Sequence, residues 1–246
     1  CTISDLNCEV GFIRSLYENG MNVVRINSAH ATLEGAQKIV DNVRAVSDRI
    51  AILIDTKGPE VRLAAMKEGN GLEVRNGDIL YIYDNTEGIC EGNTLYTNCS
   101  TFVHDVPVGS RILIDDGSVE LLVRNKTEER LECNVRNSGV IKGKKSVNVP
   151  NVYISLPALT DKDRVFVRWA IARNIDFIAH SFVRSKEDIL EIQKILDEEN
   201  SHIKIIAKIE NQQGIDNLEE ILINCYGAMI ARGDLGVEIP AERIPL

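Results

Sequence analysis

The chain has little that would take it to a membrane or to nucleic acid. No apolar stretch reaches the roughly 18 residues that a bilayer span needs, and no signal peptide opens the sequence. Acids outnumber bases, 37 Asp and Glu against 28 Lys and Arg, for a formal charge of −9. That balance disfavours nucleic acid and anionic membrane surfaces as partners, so an anionic small molecule needs a local cluster of Lys and Arg. The six cysteines (Cys1, Cys8, Cys90, Cys99, Cys133 and Cys225) include no C-x-x-C pair and have no His at metal spacing. This speaks against a structural zinc site and leaves free, partly buried thiols. A cytoplasmic setting is the default expectation. The sequence opens at Cys1 rather than Met and stops at Leu246 with no terminal helix or polar tail, which suggests a fragment.

What is present is ample apolar material, 44% of 246 residues, enough for one large α/β domain or two smaller ones. A short β-branched run at 23–26 and an apolar strand expected at 51–54 alternate with helical periodicity at Leu33, Ala36, Ile39, Val40 and Val43. Short, nearly all-apolar strands between helices indicate a parallel sheet covered by helices. From about Leu63 to Val149 the texture changes to short alternating runs (78–83, 111–114, 119–123, 130–135) separated by Gly, Asn and Asp, the pattern of a small β domain. At Thr160-Asp161-Lys162-Asp163 a capped helix begins and the helix–strand alternation resumes, with strands expected at 176–179, 203–208 and 228–231 and helices between them, the last at 215–224.

In such a layer the strands' C-terminal ends share one face, where functional residues gather. The polar residues at those ends are Arg25, Asn27, Asp55, Lys57, Ser181, Arg184, Lys208, Glu210, Arg232 and Asp234. Glu210 and Asp234 are expected to end successive strands, close enough to grip one hard divalent cation; two solvent-facing loop acids fit the pattern as well. Lys208 lies two residues before Glu210, on the same side of an extended segment. It suits charge stabilisation on a phosphoryl group or an enolate, and equally an ion pair with Glu210 alone. Arg25, Lys57 and Arg62 supply local positive charge, and Gly58-Pro59 turns the chain out of the layer. The basic run Lys142, Lys144 and Lys145 reads either as a solvated loop or as a phosphate contact. His30 and His180 have no triad partners in the sequence and are assigned no chemistry.

Seven stretches, in order along nearly the whole chain, resemble the pyruvate kinase family: V-V-R-I-N around Arg25, D-T-K-G-P-E-V-R from Asp55, I-D-D-G from Ile114, K-K-S-V-N-V-P from Lys144, H-S-F-V-R from His180, K-I-I-A-K-I-E-N from Lys204 and A-R-G-D-L-G-V-E-I-P from Ala231. The resemblance implies a TIM-type (β/α)8 barrel, about six units of it in residues 1–62 and 150–246, with an inserted β-barrel lid in residues 63–149. It implies phosphoryl transfer from phosphoenolpyruvate to ADP, giving pyruvate and ATP, in a protein that is a homotetramer when full length. Lys208 and Arg25 take the catalytic places. Arg25, Lys208, Gly233, Asp234, Ser181 and Arg184 would contact phosphoenolpyruvate, and Arg62, Lys145 and Asn27 the nucleotide. Glu210 and Asp234 match ligands of Mg2+ or Mn2+, and Asn27, Asp55 and the Thr56 carbonyl match ligands of K+. Closure of the lid would keep water, a competing acceptor, away from the phosphoryl group.

Two residues depart from the family pattern. Where R-x-N-F-S-H-G is usual, residues 25–31 read R-I-N-S-A-H-A, so Ala29 replaces a serine among the K+ ligands. Ser146 stands where K-K-G-V-N is usual. The last two barrel units and the C-terminal regulatory domain of the family are not represented. Two rival readings are a noncatalytic module that keeps the phosphoenolpyruvate and metal pocket, and another phosphoenolpyruvate- or pyruvate-handling barrel such as an aldolase or lyase.

Overall fold

The computed structural model describes residues 1–245. In chain order, α1 (Val10–Glu18), β1 (Val23–Asn27), α2 (Leu33–Val46) and β2 (Ala51–Asp55) come first. A β-rich stretch follows with β3 (Leu72–Val74), β4 (Ile79–Tyr83), β5 (Thr94–Tyr96), α3 (Phe102–Asp105), β6 (Arg111–Ile114), β7 (Val119–Lys126), β8 (Arg130–Val135), β9 (Gly139–Ile141) and β10 (Val147–Asn148). The chain then returns to alternation: α4 (Asp161–Ile171), β11 (Phe177–His180), α5 (Lys186–Glu198), β12 (Lys204–Ile209), α6 (Gln212–Asp216), α7 (Leu218–Ile223), β13 (Gly227–Ile230) and α8 (Arg232–Glu238). No helix among the described residues is long and apolar enough to cross a membrane.

Two compact units result. The first comprises residues 1–59, 157–210 and 214–231. Its sheet has the order β1-β2-β11-β12-β13 with every pairing parallel. β2 is buried from Ile52 to Asp55, as a strand covered on both faces must be. Its helices start where side chains satisfy free N–H groups. The Thr32 hydroxyl accepts from Gly35 at 3.0 Å, and Thr160 and Asp163 form a reciprocal capping box on α4. The core packs Ile26, Ile39, Ile52 and Ile54 with Phe166, Ile178, Ile192 and Ile205.

About six barrel units are expected from the sequence. Among the described residues the parallel sheet has five strands, plus a single parallel bridge from Thr2 to Arg25 beside β1. Cys1 and Ile3 share that bridge through Arg25 N–H to Cys1 O at 2.8 Å and Ile3 N–H to Arg25 O at 3.0 Å. The helix expected over 215–224 is divided into α6 and α7. Asn217 leaves helical geometry between them (φ −104°, ψ 15°), and its side-chain amide donates to Arg184 O at 2.9 Å.

The second unit comprises residues 60–156, joined by 211–213 and the stretch from Arg232 onward. Its six-stranded sheet runs β10-β6-β7-β8-β4-β5, and β3 pairs with β9 apart from it. Inward and outward residues alternate along β7 and β8, as the alternating runs in the sequence predict. Phe102, Ile82, Leu95, Ile112 and Leu131 fill the core. The α8 helix is tied to this unit by Asn148, whose side-chain amide donates to Glu238 Oε1 at 2.9 Å. Burial holds the Glu238 carboxyl above its ordinary value, against the lowering effect of that hydrogen bond.

Candidate active site

Because the first unit's sheet is parallel, the C-terminal ends of its strands lie side by side, with Asn27 opposite Asp55 and Ala179 also opposite Asp55. Four charged groups meet there. Lys208 Nζ lies 3.1 Å from Asp55 Oδ1 and 2.9 Å from Glu210 Oε1 as ion pairs, and donates to Ser181 Oγ at 2.8 Å. Arg25 Nε donates to Asp55 Oδ2 at 2.6 Å, and its Nη2 contacts the same oxygen. Side-chain exposure is 10% for Lys208, 2% for Asp55 and 0% for Glu210. Burying three charges is unfavourable unless they are paired and hydrogen-bonded, and here two cations meet two carboxylates. Burial pulls the Lys208 ammonium down, but Glu210 and Asp55 beside it more than reverse this and hold its pKa above the ordinary lysine value.

The cluster is fixed by the backbone beneath it. Ser181 Oγ reaches Thr56 O at 2.7 Å and Asp55 Oδ1 at 3.1 Å, while Ser181 N–H donates to Thr56 Oγ1 at 2.9 Å. Phe182 N–H donates to Glu210 Oε2 at 2.7 Å, a charge-assisted bond that orients the carboxylate. Asp163, the acid of the α4 capping box, also accepts from Lys57 N–H at 2.8 Å and Gly58 N–H at 3.2 Å. It thereby pins the turn after β2. Gly58 adopts φ +69°, and a Cβ there would come within 2.8 Å of both Ser181 Cβ and Phe182 Cδ2. Only glycine fits that approach.

The remaining expected residues are placed as follows. Asn27 Oδ1 accepts from Ala29 N–H at 3.0 Å. Arg184 is held by Asp188 through Nε at 3.0 Å and Nη2 at 2.9 Å. In the second unit, Arg62 Nε donates to Glu60 Oε2 at 2.9 Å, and Lys145 Nζ lies 3.0 Å from Asp115 Oδ1. Gly233 and Asp234 differ from expectation. They do not end a strand but lie in the first turn of α8, where both are exposed; an acid there faces the positive end of the helix dipole. Glu210 does directly follow its strand.

Three features escape the sequence reading. Asp55 ties Lys208 to Arg25, a pairing across sequence that spacing cannot reveal. Asp163 appears in the sequence as a capping residue, but its bonds to Lys57 and Gly58 carry no sequence signal. Finally, His180 is 1% exposed, and neither ring nitrogen has a hydrogen-bond partner among the described residues. Burial pushes its pKa down to about 4, so it is a neutral imidazole at pH 7.

A parallel α/β layer with a buried, charge-balanced cluster at the carboxyl ends of its strands defines a class of proteins that bind ligands at that edge. The family model for the pyruvate kinase barrel domain matches residues 1–246, and the chain belongs to the pyruvate kinase family. It is 50% identical to the pyruvate kinase of Borreliella burgdorferi over 246 residues, which cover all of this chain and 51% of that protein. It is 44% identical to the pyruvate kinase of Staphylococcus aureus (strain MRSA252) over 253 aligned positions, covering 100% of this chain and 43% of that protein. The chain thus spans about half the length of the curated relatives it matches.

Proposed function

We propose that this chain contributes the phosphoryl-transfer centre of a pyruvate kinase, which moves the phosphoryl group of phosphoenolpyruvate to ADP and yields pyruvate and ATP in the cytoplasm. The observation that carries this reading is Lys208, a buried ammonium held by Asp55, Glu210 and Ser181 at the strands' carboxyl edge. Donor and acceptor are both polyanions, so the protein's work is to position them and to offset their charge. Lys208 faces the developing enolate and the phosphoryl oxygens. Arg25, anchored by Asp55, binds the substrate phosphate, with Ser181, Arg184, Gly233 and Asp234 as further substrate contacts. In the β-rich unit, which would act as the family's lid, Arg62 and Lys145 bind the nucleotide phosphates, and Asn27 contributes from the sheet.

A Mg2+ or Mn2+ ion fits the chemistry of Glu210, a buried carboxylate at a strand end with one oxygen oriented by Phe182 N–H. Asp234 is the second carboxylate of this reading. Bound there, the ion would offset phosphate charge and polarise the enolate oxygen. The K+ set fits less well. Asp55, Thr56 O and Asn27 Oδ1 remain as oxygen ligands, but Ala29 brings no side-chain oxygen where the family pattern has a serine. Glu60, which accompanies K+ dependence in the family, is retained, so activity with and without K+ tests whether the Ala29 departure removes the site.

The test is a lactate dehydrogenase-coupled assay of the full-length gene product with phosphoenolpyruvate, ADP and Mg2+, in buffers with and without K+. Turnover that requires ADP supports the reading. Pyruvate formation independent of ADP favours a different barrel enzyme, and absence of turnover favours a noncatalytic binding module.

A further inference from the structure

We propose that Asp115 is an internal latch on Lys145, an anion that a phosphate chain must displace, and that Ser146 fastens it by holding the turn from which Asp115 projects. The inference rests on the nucleotide role of Lys145 above and adds the groups that set how available that lysine is, and to which anions.

The turn after β6 is unusual. Asp115, Asp116 and Gly117 follow one another at φ 53°, 55° and 87°. Two non-glycine residues in succession in the left-handed region are unfavourable and persist only where neighbours impose them. Here the neighbour is Ser146. Its carbonyl accepts from Asp115 N–H at 3.0 Å, its hydroxyl accepts from Asp116 N–H at 3.3 Å, and the same hydroxyl donates to Asp116 Oδ1 at 2.9 Å. The pairing of Val147 with Ile114 continues the contact into the sheet. The turn and the segment that carries Lys145 into β10 are therefore fixed to each other, and the Asp115 carboxylate sits 3.0 Å from Lys145 Nζ.

The second nucleotide cation is arranged in the same way. Arg62 lies opposite Ser146 in an antiparallel bridge, donates to Lys144 O at 2.8 Å and has Glu60 as its own carboxylate at 2.8 Å. Each cation thus carries a private counterion. Both members of the Lys145–Asp115 pair are partly exposed, at 39% and 33%, so the pair is weak enough to exchange. An anion that brings several charges and many oxygens displaces such counterions more readily than a compact one. The latch therefore favours a nucleoside diphosphate over inorganic phosphate at this position.

Calorimetric titration of the full-length protein with ADP, and separately with inorganic phosphate, tests this without turnover. Asp115→Asn should tighten ADP binding by roughly two- to fivefold, the range of an exposed pair, and should tighten phosphate binding by a larger factor. Ser146→Gly, which keeps the carbonyl contact and removes the hydroxyl, should shift both in the same direction by less. Lys145→Met should weaken ADP binding and abolish the effect of Asp115→Asn. If Lys145→Met weakens ADP binding but Asp115→Asn leaves it unchanged or weakens it, the latch is wrong and the nucleotide role stands. If Lys145→Met leaves ADP binding unaltered, the nucleotide role of Lys145 falls and the latch with it.

Discussion

Lys208 Nζ stands 2.9 Å from Glu210 Oε1, so in this structure the ammonium occupies one face of the carboxylate that the family reading gives to a divalent cation. The two cations have to share Glu210, or Lys208 has to lean toward Asp55, 3.1 Å away on its other side. Asp55 thus provides a second resting place for the ammonium within the same cluster.

Replacing Lys208 by methionine should affect turnover and stability separately. In the full-length enzyme kcat should fall at least about 100-fold, the scale of losing a group aimed at developing charge. The same change leaves Asp55 and Glu210 buried without the ammonium between them, a loss of about 3–5 kcal/mol expected in urea unfolding at pH 7. Adding Asp55→Asn should recover part of it, and Mg2+ should stabilise the single variant more than the parent. Near-normal turnover by Lys208→Met would refute its assigned role.

Ser181→Ala removes one acceptor of Lys208 and a donor to Thr56 O. A stability decrease of about 1–2 kcal/mol is expected from the buried bonds. If the serine positions Lys208, kcat should fall while the KM for ADP stays close to that of the parent. A change confined to melting temperature would show a purely structural hydroxyl.

His180 should make stability depend on mild acid. Its folded value of about 4 lies below the ordinary 6.5, so between these values the unfolded chain binds more protons. Stability is then retained above about pH 6.5 and lost as the pH falls toward 4, by up to roughly 3 kcal/mol. Chemical denaturation of the parent and of His180→Asn across this window measures the difference. Asp105, whose burial is outweighed by bonds from Ser155, His104 and Thr101 that hold it at about 2, contributes above pH 3.8 and fades only as the pH falls toward 2, outside the histidine window. Parallel curves for parent and variant would sink the assignment.

Gly58→Ala forces a Cβ against Ser181 and Phe182 in a left-handed backbone. The expected loss is about 1–3 kcal/mol, accompanied by reduced turnover because Ser181 must shift. An alanine variant as stable as the parent would show that the turn relaxes freely.

What the sequence made legible was local. The apolar runs marked β1, β2, β11 and β12, Thr160 and Asp163 marked the start of α4, and the alternate spacing of Lys208 and Glu210 placed both on one side of their segment. What it hid were relationships set by tertiary packing. Nothing near Asp55 announces its bonds to Arg25 and Lys208, and nothing near Asp234 distinguishes a strand end from the first turn of a short helix. The break at Asn217 escaped for the same reason: its side chain answers a carbonyl at Arg184, 33 positions away.

The pairing of β2 with β11 also sets a timetable for synthesis. Ile52 N–H binds Asp176 Oδ2 at 2.8 Å across 124 positions, and Leu53 faces Phe177. At about 5–20 residues per second, roughly 6–25 s separate the appearance of the two strands from a ribosome. During that interval one side of a strand that is apolar from Ala51 to Ile54 is a bare edge, open to other chains. Nascent chains stalled before residue 177 should therefore show unprotected amides at Ile52 and Ile54, the positions of β2 that face β11, in hydrogen exchange and recruit holdase chaperones, and both signals should fade once β11 has emerged.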